Sequence, residues 1–164
     1  MDRPKTTYPS LSLIKPPHIV IIEARFYDDI LDQLGAGARA VLAAHGAQVE
    51  TIVVPGALEV PGAIAMIDAV RGGRVDGYIA LGCVIRGATT HYETVCNESA
   101  RGIMDLTVRR ALAIGNGILT CETMAQAVER ADPGQMDKGG GAAWAALTMV
   151  ALAQKLKKIP SVAA

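Results

Sequence analysis

Four times along this chain a short apolar run is followed by a stretch of helical period, and this alternation constrains the fold more than any other feature. The first run, HIVIIEA at 18–24, has prolines before it and charge after it, which predicts a buried strand covered on both faces. Ile30, Leu34, Ala38, Val41 and Ala44 then recur at helical spacing until Gly46 offers a stop. A second strand ends at Val54, and beyond the Pro55-Gly56 loop comes a helix that Pro61 can start but could not sit inside. VDGYIALGCVI at 75–85 reads as the third strand, ahead of a helix with Tyr92, Val95, Cys96, Ser99, Ile103 and Leu106 along one side. GNGILTCET gives a fourth strand, and a helix near MAQAVERA and a last one, AAWAALTMVALAQKLKK from Ala142, complete the pattern. Repeated strand-helix units predict an α/β fold with a four-stranded parallel sheet and helices on both faces; ligands of such sheets gather at the carboxyl ends of the strands.

Composition narrows the class. The 164 residues are 51% hydrophobic but only 4% aromatic, with 17 glycines, so small aliphatic side chains must build the core. The length fits one domain, expected at 18–158, between a flexible proline-bearing tail at 1–17 and a short C-terminal tail at 159–164. Sixteen Lys and Arg against sixteen Asp and Glu leave no global field to steer nucleic acid or an anionic membrane, so any anion must be held locally. Cys83, Cys96 and Cys121 are odd in number and lack CxxC spacing, and no run has signal-peptide or membrane-span character; a cytoplasmic protein is expected.

GAGARA at 35–40 mimics a dinucleotide fingerprint, but it falls inside the first helical pattern, where close helix packing explains it. Phosphate-loop, hydrolase-elbow and zinc signatures are absent, and no metal site is expected. His91 and Cys96 cannot pair as a nucleophile, since five residues of helix turn through about 500°. Cys96 reads as a core residue, and His18 and His45 as structural.

The segment RGATTH at 86–91 has the layout of an anion cradle: strand, glycine, small residue, hydroxyls, helix. By layout alone, a simple helix cap by Thr89 or Thr90 is the plainer reading of the same segment. His91, beside it, is placed to move protons or to play a structural part. Phe26, the one phenylalanine, follows the first strand, either as a stacking surface for a planar ligand or folded back onto the next helix. Glu59 reads as a hydroxyl acceptor or a helix N-terminal charge, and Arg130 and Lys138 bracket a Gly/Pro-rich loop.

Together ARFYDD, VPGALEVP, LGCVIRGATTHYETVCNE, AVERA and DKGG, in this order, resemble the lumazine synthase family from about His18 to the final helix. The resemblance implies a flavodoxin-like three-layer sandwich and a cofactor-free condensation of 5-amino-6-(D-ribitylamino)uracil with 3,4-dihydroxy-2-butanone 4-phosphate. By position, Phe26 would stack on the pyrimidine ring, Ala57, Leu58 and Glu59 would line the ribityl chain, and Cys83, Val84 and Ile85 would bind the pyrimidine edge. Ala88 and Thr89 would hold the phosphate, with Arg130 reaching it from a neighbouring subunit. His91 would transfer protons, and Lys138 matches a lysine near the site.

The chain also departs from the family pattern. Asn116 stands where many members carry an aromatic that covers the substrate ring from the next subunit, so the resemblance implies a polar or backbone contact to the substrate from Asn116. Gly141 stands where an acidic residue often follows the lysine. These motivate an alternative reading, a non-catalytic flavin- or lumazine-binding protein on the same scaffold; a structural shell or carrier is a third. The family forms pentamers with sites between subunits, and shell-forming members share a Gly-x-Lys-x-Gly bend. DPGQM at 132–136 replaces that bend, so a free homopentamer is expected rather than a 60-subunit particle.

Overall fold

The computed structural model describes residues 6–158, so the expected C-terminal tail at 159–164 lies outside the described residues. Strand β1 (His18–Ala24) leads to α1 (Asp28–Ala44), β2 (Gln48–Val54) to α2 (Glu59–Arg71), and β3 (Gly77–Ile85) to α3 (His91–Arg109). Strand β4 (Ile114–Cys121) is followed by α4 (Met124–Ala131) and α5 (Lys138–Lys158). The sheet is parallel throughout with order β2-β1-β3-β4, in which Ile19 pairs with both Val49 and Gly77, and Tyr78 with Ile114. All four carboxyl ends therefore lie along one edge.

Alternation within the strands builds two cores. Ile19, Ile21, Ile79 and Leu81 face α1, α4 and α5, while Val20, Ile22, Tyr78 and Ala80 face α2 and α3. This is the three-layer sandwich expected from the alternation of strands and helices, and it explains why β1 is apolar along nearly its whole length.

The GAGARA segment does serve packing. A Cβ at Gly37 would stand 2.0 Å from Asp137 Oδ1 and 3.1 Å from Gly140 N, and one at Gly139 would stand 2.0 Å from the Leu34 carbonyl oxygen. Helices α1 and α5 meet backbone to backbone at this point. That contact explains why α5 begins at Lys138, four residues before the expected Ala142, and accommodates three consecutive glycines in its first turn. Asp137 starts the helix: its Oδ1 accepts from Gly140 N–H at 3.0 Å.

Other boundaries also differ from expectation. Helix α2 starts at Glu59, with Pro61 as its third residue, because the first turn has no internal use for that N–H. Strand β3 begins at Gly77 rather than 75, and β4 spans 114–121. Cys96 is half-buried rather than in the core.

Residues 6–17, expected as a loose tail, contain no helix or strand but make specific contacts. Tyr8 stacks on Trp144 with ring centroids 6.3 Å apart and donates its hydroxyl to the Asp137 carbonyl. Leu11 N–H donates to His45 Nε2 and Ile14 N–H to Gln154 Oε1. His45 Nδ1 lies 2.8 Å from the Val41 carbonyl and His18 Nδ1 3.2 Å from that of Arg74, in keeping with structural roles.

Candidate active site

The carboxyl edge of β1, β2 and β3 encloses a cavity of about 460 Å³. Phe26, Ala57, Leu58, Glu59, Cys83, Val84, Ile85 and His91 all line it, so eight of the residues singled out in the sequence converge on one space. Parallel strands make this possible, since each strand-to-helix loop ends on the same side of the sheet.

The loop carrying Phe26 is anchored from below. Glu23, only 3% exposed near the end of β1, accepts from Arg25 and Arg39, each at 2.8 Å. Arg25 also bonds Asp28 and Asp32 at the start of α1, which fixes the turn between them. Above this anchor Phe26 is 71% exposed and meets Tyr27 edge-on at 5.0 Å, so the ring is not folded back into the core. A solvent-facing aromatic at the rim of a cavity offers a surface for a planar ring.

Polar groups are few and arranged around the rim. Glu59 is the first residue of α2, so its carboxylate both complements the helix terminus and faces the cavity. Burial, with Cys121 beside it, pushes the Cys83 thiol up to about 12. Cys83 is therefore a neutral lining group at physiological pH and not a nucleophile.

At the mouth of α3 the capping reading loses ground. Thr90 stands at the N-cap position without a side-chain cap hydrogen bond, and the contact from His91 N–H to Thr89 Oγ1 is long at 3.4 Å. Ala88 and Thr89 sit on the exposed loop leading to His91, outside the wall of the cavity itself.

Three sequence candidates lie elsewhere. Asn116, Arg130 and Lys138 line a different cavity of about 450 Å³ formed by β4, α4 and the start of α5, together with Gly141. Asn116 Oδ1 accepts from Ile118 N–H at 3.0 Å, satisfying a donor of the edge strand. Arg130 Nη1 donates to the Gln126 carbonyl at 3.1 Å from the last turn of α4.

Sequence reading passed over Ala24, Tyr27, Pro55, Gly56 and Val95 as cavity lining. Adjacency to Phe26 was the available signal for Tyr27; the others carry no chemistry that sets them apart.

A doubly covered parallel sheet with an open aromatic, a carboxylate and a histidine gathered at its carboxyl edge belongs to the class of flavodoxin-like α/β proteins, whose ligands gather at that edge. The chain belongs to the 6,7-dimethyl-8-ribityllumazine synthase family, whose sequence profile matches residues 16–154. It is 54% identical over 154 residues to the 6,7-dimethyl-8-ribityllumazine synthase of Methylorubrum extorquens, covering 92% of this chain and 87% of that protein. The protein of that name from Novosphingobium aromaticivorans is 59% identical over 136 residues, covering 83% of this chain and 96% of the relative. Rhizobium meliloti has 6,7-dimethyl-8-ribityllumazine synthase 1, 54% identical over 149 residues, or 89% of this chain and 97% of the relative. These likenesses lend no support to the non-catalytic flavin-binding alternative. Among the described residues no helix is long and apolar enough to cross a membrane.

Proposed function

We propose that the chain condenses 5-amino-6-(D-ribitylamino)uracil with 3,4-dihydroxy-2-butanone 4-phosphate, releasing 6,7-dimethyl-8-ribityllumazine, phosphate and water in riboflavin biosynthesis. Phe26 stacks on the pyrimidine, Ala57, Leu58 and Glu59 follow the ribityl chain, and Cys83, Val84 and Ile85 face the ring edge. The substrate amine attacks the butanone carbonyl to form an imine with loss of water. Phosphate then departs by elimination with loss of the proton from the neighbouring carbinol carbon, and the enol so formed tautomerises to a ketone. Attack of the ribitylamino nitrogen on that ketone closes the second ring and expels a second water. Each carbonyl step moves protons, the role given to His91 at the cavity rim. Phosphate leaves toward Ala88, Thr89 and the open N–H groups of the α3 mouth, with Arg130 adding charge. Holding two substrates in reacting geometry supplies much of the remaining rate.

The working unit is read as a free homopentamer with each site built from two subunits. One observation supports the shared site: His91 and the proposed ring-binding residues line one cavity, whereas Asn116, Arg130 and Lys138 line another on the same chain. Neighbouring copies in a closed ring would bring the first cavity of one against the second of the next. The cytoplasmic assignment is supported by three free cysteines.

Subunit mixing tests the shared site. His91→Ala and Arg130→Ala proteins, each of low activity, are denatured together and reassembled in equal amounts. If every site takes His91 from one subunit and Arg130 from the next, random assembly leaves roughly a quarter of the sites intact. No recovery above the separate variants would confine the site to one chain.

A further inference from the structure

Arg86, the first residue after β3, is given no part in the reaction above, yet it makes more contacts than its exposed position needs. Its backbone N–H donates to the Cys121 carbonyl at the end of β4 at 2.9 Å. From there the guanidinium forks: Nε donates to Glu122 Oε2 at 2.7 Å, just beyond β4, and Nη1 donates to Glu93 Oε1 in the first turn of α3. Its carbon also lies 4.2 Å from the centre of the Tyr92 ring. One side chain thus ties the end of β4 to the first turn of α3 across the loop that carries Ala88, Thr89 and His91.

That loop has little else to hold it. Gly87, Ala88, Thr89 and Thr90 are exposed, an ideal Cβ at Gly87 would meet nothing within 4 Å, and the N-cap side chain makes no cap hydrogen bond. Packing therefore does not set the loop's conformation. Arg86 does not act as a free phosphate ligand, because two carboxylates already take up its charge.

We infer that Arg86 is a positioning residue: its fork between Glu93 and Glu122 fixes the α3 mouth in the geometry that receives the phosphate of the four-carbon substrate. The inference rests on the synthase reading. A planar fork serves this purpose where an ammonium would not, because two carboxylates on different elements must be held at once.

Steady-state kinetics on Arg86→Gln, Arg86→Lys and Glu122→Gln test this, with inorganic phosphate binding measured by calorimetry on the same proteins. Arg86→Gln is expected to raise KM for the butanone phosphate about tenfold while the pyrimidine KM stays within about twofold, since only the phosphate end loses its alignment. Arg86→Lys should remain close to Arg86→Gln, and Glu122→Gln should show a smaller rise of about threefold for loss of one arm. Equal rises in both KM values, or a lower melting temperature with unchanged kinetics, would reduce Arg86 to a surface ion network. Should the Arg86 variants fail to fold, Glu122→Gln decides, and an unchanged phosphate-substrate KM overturns the inference. Failure of the synthase reading looks different: the wild type makes no lumazine, and weaker phosphate binding in Arg86→Gln still supports, or unchanged binding still refutes, the positioning role.

Discussion

Replacing Gly37 by alanine should destabilise the protein, although helix propensity predicts the opposite. Gly37 lies mid-helix in α1, where alanine ordinarily gains about 1 kcal/mol over glycine. Here the new methyl would stand 2.0 Å from Asp137 Oδ1, closer than any real contact, and 3.1 Å from Gly140 N. Asp137 is buried, so its carboxylate cannot simply swing into water. Pushing it aside costs the cap on Gly140 N–H, about 1 kcal/mol, and overpacking adds about 1–3 kcal/mol. The net loss is therefore about 2 kcal/mol, which for a chain of this size lowers the melting temperature by about 4–8 °C. Thermal unfolding followed by circular dichroism, at one fixed protein concentration so that assembly contributes equally, reads this directly. Unchanged or increased stability of Gly37→Ala would refute the backbone-to-backbone account of the α1–α5 contact.

Four further outcomes follow from the site. His91→Ala should lower turnover with little change in either KM, measured by steady-state kinetics; an undiminished rate would remove the proton-transfer role. Arg130→Ala should weaken butanone phosphate binding by about 1.5–3 kcal/mol, as for loss of a charged hydrogen bond, and unchanged affinity would exclude the contact. Phe26→Ala should raise the pyrimidine KM about tenfold while leaving the melting temperature nearly unmoved, because the ring is exposed before substrate binds. The Cys83 thiol rises from 9.0 to about 12 on folding, so the unfolded chain ionises first and stability contributed below pH 9 drains away between those values. Denaturant titrations should show a shallower alkaline loss in Cys83→Ala than in wild type over that window.

Periodicity was enough for the architecture, because runs such as β1 carry an unambiguous signal: an apolar strand set off by prolines before it and charge after it. It failed where tertiary contact overrides propensity. Three glycines at 139–141 read as a break in helix pattern, yet the close approach of Leu34 admits no larger residue at Gly139. Pro61 looked like a first residue because proline tolerates any place in a first turn, and only the backbone shows which one. For the site, Phe26, Ala57–Glu59, Cys83–Ile85 and His91 were legible as one group because successive loops of a parallel sheet share an edge. The separation of Asn116, Arg130 and Lys138 into another cavity was not legible from spacing, which records order along the chain and not which face of β4 a residue occupies. Contacts of residues 6–17, such as Tyr8 on Trp144, leave no periodic trace at all.

If RGATTH and the cavity beside it perform the lumazine-forming condensation, that reaction must depend on His91. Purified protein mixed with both substrates, followed by the absorbance and fluorescence of the product with His91→Ala alongside, tests it most directly. Lumazine is expected from the wild type, and far less from the variant at saturating substrate. Folded wild-type protein that forms no lumazine, or a variant as fast as wild type, would contradict it.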